Sequence, residues 1–302
     1  MAEPALSNPS GTDRQKVTLM RVIAALFLAA ALLLLPTSPV RAADAPPESV
    51  FERVIRTNTL RCGWWNWPPL YTIADDGVTR GGIFFDLMQS FEQITGVKVE
   101  WTREIAYTDL VTDLQTNKVD AICAGVWTSA LRGKFLLFSD PVFYIPINAY
   151  VRADDARFDH DPAAASQATV KAAVMDGEMS SEIQTTDFPG ATPFSVPQTA
   201  GNNSILLMNV ATRKADITFT DAVSANAFML GNPGQLKLAG ISPLRTMANT
   251  IAVNGSDVRL KLFIDTALQQ LKTSGVVERI LRKYDPHYQG VLYRVSSAYT
   301  AP

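Results

Sequence analysis

From about residue 47 onward, segments whose apolar residues have helical spacing alternate with segments that have the pattern of strands. Apolar residues recur at helical spacing in 82–96 and 256–275, whereas 60–63, 97–101 and 119–125 are the short apolar or alternating runs of strands. The last of these, VDAICAG, is apolar throughout, which is typical of a strand buried in a parallel sheet. Because helices and strands alternate, the pattern predicts an α/β fold built from βαβ units, with helices on both sheet faces.

A helix-then-strand segment occurs twice, at a fixed offset of 96 residues. LVTDLQTNKVDAI (110–122) corresponds to LLMNVATRKADIT (206–218), and each copy carries a Lys-x-Asp just before its apolar strand. The polar stretch 152–167 lies between the copies. The repeat predicts two lobes built on one plan.

The N-terminus has the pattern of an export signal. Lys16 and Arg21 precede the apolar run 22–35, which Pro36 ends. As a helix such a run extends about 21 Å, against roughly 30 Å of hydrocarbon in a bilayer, so it is short for a membrane anchor. Small residues beyond the run favour cleavage after Ala42, so that residues 1–42 are a signal peptide. An uncleaved membrane anchor is the alternative. A cleaved signal peptide predicts a periplasmic protein.

Composition excludes some classes of function. The formal charge is −2 over 302 residues and no basic block is present, so nothing predicts binding to nucleic acid. With two histidines in the sequence, no Ser-His-Asp set, Cys-His pair or metal-spaced cluster is visible. The sequence therefore predicts neither a metal site nor a cofactor.

Four segments, in the same order along the chain, match the motifs of a known family: LRCGWWNWPPLY, GGIFFDL, LQTNKVDAICAGVWTSALRGKFLLFSDPVFY and RKADITFTDAVSA. They resemble family 3 of the extracellular solute-binding proteins, the amino-acid-binding components of ABC importers. The resemblance runs from about Val50 to Tyr284. Its most specific part is 117–144, where a Lys-x-Asp-Ala-Ile strand leads to an arginine and then to Phe-Ser-Asp-Pro.

The resemblance implies a periplasmic-binding-protein-like fold: two α/β lobes joined by a two-strand hinge, with a ligand cleft between them that closes on the ligand. We expect the chain to cross between lobes near 149–152 and 248–252. The implied segments are lobe 1 at 50–150 plus 250–286, lobe 2 at 153–246, and a C-terminal tail at 287–302.

The resemblance also implies a function and its partners. We expect a monomeric, non-enzymatic binding protein that delivers an amino acid or related zwitterion to an ABC permease of the inner membrane. Two other functions occur on this fold: a dehydratase-like periplasmic enzyme and a ligand-sensing protein for a separate receptor. Turnover of a bound ligand would indicate the enzyme, and co-purification with a receptor would indicate the sensor.

Three tryptophans, Trp64, Trp65 and Trp67, follow the strand LRCG. Ligands of open α/β sheets bind beyond the carboxyl ends of the strands. The family has a ligand-stacking aromatic residue in this loop, and Trp67 matches it by position. Trp65 is an alternative, because the loop is about one residue shorter than usual. Some of the three indoles could instead cover the lobe-1 core, so which of them face the cleft stays open.

Two charged residues match the family's clamp for an amino acid. Arg132 stands where the family binds the α-carboxylate, and a planar guanidinium can hold a carboxylate by two parallel hydrogen bonds. Asp221 stands where the family binds the α-ammonium, and the offset of 96 makes it the counterpart of Gly125, which allows close approach of the backbone. The alternatives are a surface arginine on a short helix and an aspartate that only caps a helix.

Other positions depart from the family pattern. Trp127 replaces the Thr or Ser common at its position, and Glu178 and Met179 follow the lobe-2 glycine where hydroxyl residues are frequent. We infer a pocket that is more apolar or aromatic than that of a binder of basic amino acids. Glu178 is then the one acid that could select a ligand cation.

The two cysteines, Cys62 and Cys123, lie on strands expected to be neighbours in the lobe-1 sheet. An oxidising compartment permits a disulfide between them, but the geometry between adjacent strands is demanding. Two buried thiols are the alternative. The sequence leaves both open.

Overall fold

The structure is a computed structural model that describes residues 48–197, 203–288 and 290–295. The predicted signal peptide, residues 1–42, lies outside the described residues, as does the end of the predicted tail, 296–302. Within the described ranges, no helix combines the length and the apolar character needed to cross a membrane.

Helices form where the 3.6-residue period predicts them. In the described part of the chain they are α1 (Val50–Thr57), α2 (Ile83–Thr95), α3 (Leu110–Gln115), α4 (Met179–Asp187), α5 (Ser204–Ala211), α6 (Ala222–Gly231), α7 (Val258–Thr273) and α8 (Val276–Tyr288). α2 ends as predicted at Gly96, which has the left-handed φ of 71° that favours glycine. Ile94, which the period places on the buried face, is 39% exposed because it lies in the last turn, at the rim of a groove formed with α7 and α8.

The strands are β1 (Thr59–Trp64), β2 (Thr72–Ile73), β3 (Arg80–Gly81), β4 (Lys98–Glu104), β5 (Ala121–Trp127), β6 (Leu136–Phe138), β7 (Phe143–Arg152), β8 (Lys171–Met175), β9 (Thr192–Val196), β10 (Ile217–Asp221), β11 (Leu236–Leu238), β12 (Arg245–Asn254) and β13 (Tyr293–Arg294). The main sheet has the order β4-β1-β5-β12-β7-β10-β8-β9. Its two ends are parallel, and the central strands β12 and β7 run antiparallel to their neighbours. The prediction of two α/β lobes joined by two strands is therefore confirmed. We call the part around β4-β1-β5 lobe 1 and the part around β10-β8-β9 lobe 2.

The two joining strands exchange partners where they pair with each other. Residues 143–147 of β7 pair with 245–249 of β12, and residues 147–151 of β7 pair with β10 of lobe 2. The first crossing, expected near 149–152, thus falls on a part of β7 that already pairs with lobe 2.

The sequence repeat is also a repeat of local geometry. Asn117 and Arg213, 96 residues apart, both have positive φ, at 55° and 64°. A carboxylate oxygen of Asp120 accepts a backbone N–H of β1 at 2.7 Å, and one of Asp216 accepts a backbone N–H of β8 at 2.9 Å. Each aspartate thereby joins its strand to the parallel neighbour, so the two lobes use the same turn and the same carboxylate bridge.

Both lobes have their own apolar core, and one residue of lobe 2 is buried in the core of lobe 1. The lobe-1 core packs α2, α7 and α8 against the sheet and includes Leu60, Phe84 and Phe91. The lobe-2 core includes Ile183 and Phe219. Val223 of α6 belongs to the lobe-1 cluster and is fully buried. The lobes are therefore in direct contact in this structure.

A disulfide joins Cys62 of β1 to Cys123 of β5, with their Cα atoms 5.5 Å apart. Both residues are fully buried in the lobe-1 core. β1 and β5 are parallel neighbours, and the register pairs Cys62 with Ala121. Of the two possibilities that the sequence left open, the structure has the disulfide.

Candidate functional site

The three clustered tryptophans point to three different places. Trp67 is half-buried and packs against the cores of both lobes. Its indole Nε1 donates to Oγ of Ser224 on α6 at 3.4 Å, and its ring meets the ring of Trp127 at 5.2 Å in an edge-to-face arrangement. Trp67 therefore lies between the lobes, at the carboxyl end of β1, where the loop was predicted to present an aromatic residue.

Trp65 and Trp64 point into lobe 1 instead. Trp65 is buried in a cluster with Ile105 and Leu110, and touches the site through the edge of Tyr107 at 6.0 Å. Trp64 lies in a separate aromatic cluster. Successive residues of an extended chain point to opposite sides, so three nearby indoles cannot share one face. The question of which tryptophan lies between the lobes is resolved in favour of Trp67.

Gly125 and Trp127 lie at the end of β5. Gly125 has a φ of +91°, and a Cβ there would lie 2.7 Å from Cε2 of Phe84. Glycine is thus required by packing within lobe 1, whatever approaches from the cleft. The backbone of Trp127 belongs to β5 of lobe 1, but its side chain packs in the lobe-2 cluster. Its buried Nε1 has no hydrogen-bond partner among the described residues.

Arg132 begins a short 3₁₀ turn, Arg132–Lys134, and lies over an aromatic ring. Its guanidinium carbon is 3.9 Å from the ring centroid of Tyr107, and Nη1 donates to the Tyr107 hydroxyl. Among the described residues no carboxylate pairs with Arg132. Its charge is held in place by a neutral ring and remains available to an anionic group.

Tyr107 is a residue that the sequence analysis missed. Burial raises the pKa of its hydroxyl; the charge of Arg132 opposes this rise, and the charges of Glu178 and Glu182 add to it. The two glutamates belong to lobe 2, so the Arg132–Tyr107 pair faces lobe 2 across the cleft. A signal was present: Tyr107 follows the end of β4, and aromatic residues beyond the ends of parallel strands are candidates for a ligand site.

Asp221 is the N-cap of α6, and it is fully buried. Its Oδ1 accepts the backbone N–H of Ser224 at 2.7 Å, and its Oδ2 accepts Nδ2 of Asn203 at 3.4 Å. Burial raises the pKa of the carboxyl group despite these hydrogen bonds. The capping role that was the alternative for Asp221 is therefore present, and the side chains of Ser224 and Asn203 also hydrogen-bond the carboxylate.

Glu178 caps the second helix of the site, α4, and lies close enough to Asp221 for the two charges to interact. Its Oε2 accepts both the backbone N–H of Ser180 at 2.8 Å and the Ser180 hydroxyl at 2.6 Å. Burial, and to a smaller degree the charge of Asp221, raise the pKa of Glu178. Met179, the first residue of α4, packs on the lobe-2 cluster. Lobe 2 thus offers two partly desolvated carboxyl groups, whereas lobe 1 offers a guanidinium.

Within the described ranges, no group of three or more His, Cys, Asp or Glu side chains has the spacing of a metal site. The arrangement can hold opposite charges at two ends of a small molecule and stack an apolar part of it on indole or phenol.

Solved structures share this fold. An ancestral amino acid-binding protein, a precursor of cyclohexadienyl dehydratase, is 23% identical, with a TM-score of 0.67 over 80% of this chain and 100% of its own. A putative ABC-transporter binding component from Wolinella succinogenes, complexed with lysine, is 18% identical, with a TM-score of 0.66 over 80% and 98%. The solute receptor for L-cysteine of Neisseria gonorrhoeae is 16% identical, with a TM-score of 0.66 over 79% and 94%. At these identities the likeness shows the fold.

The sequence itself identifies the family. No curated protein sequence matches the chain. Residues 60–287 do match the family model of the bacterial extracellular solute-binding proteins, family 3, which covers well over half of the chain. This range includes the site residues of both lobes, from Trp65 to Asp221. The chain therefore belongs to family 3 of the bacterial extracellular solute-binding proteins.

Proposed function

We propose that this protein captures a small amino acid or related zwitterion in the periplasm and delivers it to an ABC permease of the inner membrane. The observation that carries the proposal is the placement of unlike charges in facing lobes. Arg132 of lobe 1 has no carboxylate partner among the described residues, whereas lobe 2 presents the buried carboxyl group of Asp221 and the half-buried carboxyl group of Glu178. A ligand with separated negative and positive groups would complete both sides.

Each site residue has a role in this proposal. Arg132 binds the ligand carboxylate, and the ring and hydroxyl of Tyr107 hold the guanidinium in place. Asp221 accepts a hydrogen bond from the ligand ammonium through its carboxylate. Trp67, which contacts both lobes, packs on the ligand side chain and closes with it. Glu178 favours a ligand that carries a second donor or cation, such as the lysine bound by the Wolinella succinogenes structure.

The lobe boundaries and cellular setting complete the proposal. We place lobe 1 at about 50–145 plus 249–286 and lobe 2 at about 148–245, with the hinge at the paired segments of β7 and β12. The protein is a monomer exported by the signal peptide 1–42. It binds its ligand without converting it. Lobe opening at the permease releases the ligand.

A ligand screen tests the proposal. Purified protein is unfolded thermally with each of the common amino acids and with related amines and carboxylates. We expect one chemical class to raise the melting temperature, and the rise to grow with the logarithm of its concentration above the dissociation constant, since a ligand that binds only the folded state stabilises it by mass action. Mass spectrometry should recover that ligand unchanged; a changed mass would indicate an enzyme. No stabilisation by any zwitterion would contradict the proposal.

Arg132→Lys should weaken ligand binding by about tenfold or more, because lysine keeps the charge but loses the paired hydrogen bonds of the guanidinium. Isothermal titration calorimetry with the ligand from the screen measures the change. Arg259→Lys is the matched control, since Arg259 also lies over an aromatic ring, Phe51 at 4.4 Å, on the outer face of lobe 1. Equal affinities in the two variants would refute the role of Arg132.

Ligand binding should release protons and strengthen as the pH rises. The pKa values of Asp221 and Glu178 are raised above their ordinary 3.8 and 4.5, so the unliganded folded protein holds these protons more tightly than the unfolded chain does. The stability that these two groups contribute is fully present at a pH below their ordinary pKa values. It is lost as the pH rises through their raised pKa values in the folded protein. A ligand ammonium favours the ionised carboxylates, so affinity should increase over the same window.

Calorimetry in two buffers of different ionisation enthalpy measures this proton release. We expect the release to decrease in an Asp221→Asn variant. A wild-type affinity that is constant between about pH 4 and pH 7 would contradict the linkage.

A further inference from the structure

A second cluster of aromatic side chains lies in lobe 1, on the side of β1 opposite to Trp65. Trp64, Tyr71 and Trp101 form its centre, with ring centroids 5.4 Å apart for Trp64 and Tyr71 and 4.5 Å apart for Tyr71 and Trp101. Phe85 packs on Trp101 at 6.0 Å. The guanidinium of Arg80, from β3, lies 5.8 Å from the Trp64 ring centroid. None of these residues belongs to the site described above.

Three polar atoms of this cluster are buried and donate to no acceptor in the described part of the chain: Nε1 of Trp64, the hydroxyl of Tyr71 and Nε of Arg80. Trp64 is 8% exposed and Tyr71 is fully buried. An indole and a guanidinium N–H can only donate, and a phenol O–H can donate as well. A buried donor left without an acceptor costs about 1–3 kcal/mol, so three in one cluster indicate a missing acceptor.

The cluster is also short of negative charge. Arg80 has no carboxylate partner among the described residues, and its Nη1 donates to the backbone oxygen of Val78 at 2.9 Å. Burial raises the pKa of Tyr71 to about 12, although the charge of Arg80 and a hydrogen bond that its guanidinium donates to the hydroxyl oxygen oppose the rise. The hydroxyl therefore keeps its proton at neutral pH and remains a donor. A water molecule could accept from the donors but would leave the guanidinium charge without a counterion.

We propose that Trp64, Tyr71 and Arg80 form a binding site for a small monovalent anion, a halide or a carboxylate, in lobe 1. The anion accepts from the indole N–H, the phenol O–H and the guanidinium. A divalent oxyanion fits less well, since one guanidinium supplies one charge.

The site lies directly behind the cleft tryptophan. The backbone N–H of Trp67 donates to the oxygen of Tyr71 at 2.8 Å, and the N–H of Tyr71 donates back at 3.0 Å. An anion that fixes Tyr71 therefore also fixes the loop that carries Trp67. The anion site does not depend on the nature of the cleft ligand, and it can be tested in the protein without that ligand.

Titration with sodium bromide and with sodium acetate, at ionic strength kept constant with sodium sulfate, tests the proposal by thermal unfolding. We expect a saturable rise in melting temperature with bromide, acetate or both, and the comparison identifies the kind of anion. Tyr71→Phe removes one donor and keeps the ring, so it should raise the dissociation constant about tenfold, and Arg80→Gln should raise it further. A crystal grown in bromide should show an anomalous peak among the three side chains.

Arg279→Gln is the matched control, because it makes the same change of charge at an arginine that has no carboxylate partner among the described residues and lies on α8. Its anion dependence should equal that of the wild type. The proposal is overturned if the wild type shows no saturable dependence on either anion, if Arg80→Gln and Arg279→Gln respond alike, or if bromide is found at crystal concentration only.

Discussion

Replacing Asp221 by asparagine should lower ligand affinity by about tenfold to 100-fold while leaving the fold intact, because a hydrogen bond to a charged group contributes about 1.5–3 kcal/mol. The amide oxygen of asparagine can still accept the N–H of Ser224, so the cap of α6 is kept. What is lost is the buried negative charge that faces the ligand ammonium. Isothermal titration calorimetry measures the affinity, and circular dichroism during heating measures the fold.

Asp161→Asn is the control for this substitution. Asp161 also caps a short helical turn, with its Oδ1 accepting the N–H of Ala163 at 2.9 Å, and it lies exposed on lobe 2. The change of charge and the capping role are the same, but the residue lies outside the cleft. An equal loss of affinity in both variants, or none in Asp221→Asn, would show that Asp221 does not contact the ligand.

The position of Asp221 could be predicted because local sequence determined it. The repeat at an offset of 96 residues carries the same turn and the same carboxylate bridge in both lobes, so β5 and β10 begin 96 residues apart, at Ala121 and Ile217. Asp221 and Gly125 are then both the fifth residue of their strand. The turn with positive φ lies within one helix-and-strand unit, and such units can be recognised in the sequence.

The contacts between units could not be predicted in this way. The sequence does not show that Trp67 reaches Ser224, 157 residues away, or that Tyr107 supports Arg132. The direction of a side chain in a loop depends on tertiary packing. Trp64, Trp65 and Trp67 therefore point in different directions although they are close together in the sequence.

Loss of the disulfide should have the largest effect on stability. The double substitution Cys62→Ala and Cys123→Ala should lower the free energy of unfolding by about 4 kcal/mol, because the bond closes a long loop of the unfolded chain and thereby limits its entropy. The two cysteines are 61 residues apart. A loss of that size is a large fraction of the roughly 5–15 kcal/mol by which a folded protein is stable. Urea unfolding of the oxidised wild type and the double variant measures it.

The reduced wild type separates the bond from the buried sulfur atoms. Reduction should destabilise the wild type nearly as much as the double substitution does, whereas a reductant should leave the double variant unchanged. Because the bond joins β1 to β5, whose ends carry Trp67 and Trp127, ligand affinity should also fall in the reduced protein. A wild type equally stable with and without reductant would mean that the thiols are not joined, and the argument that this chain matures in an oxidising compartment would lose its structural support.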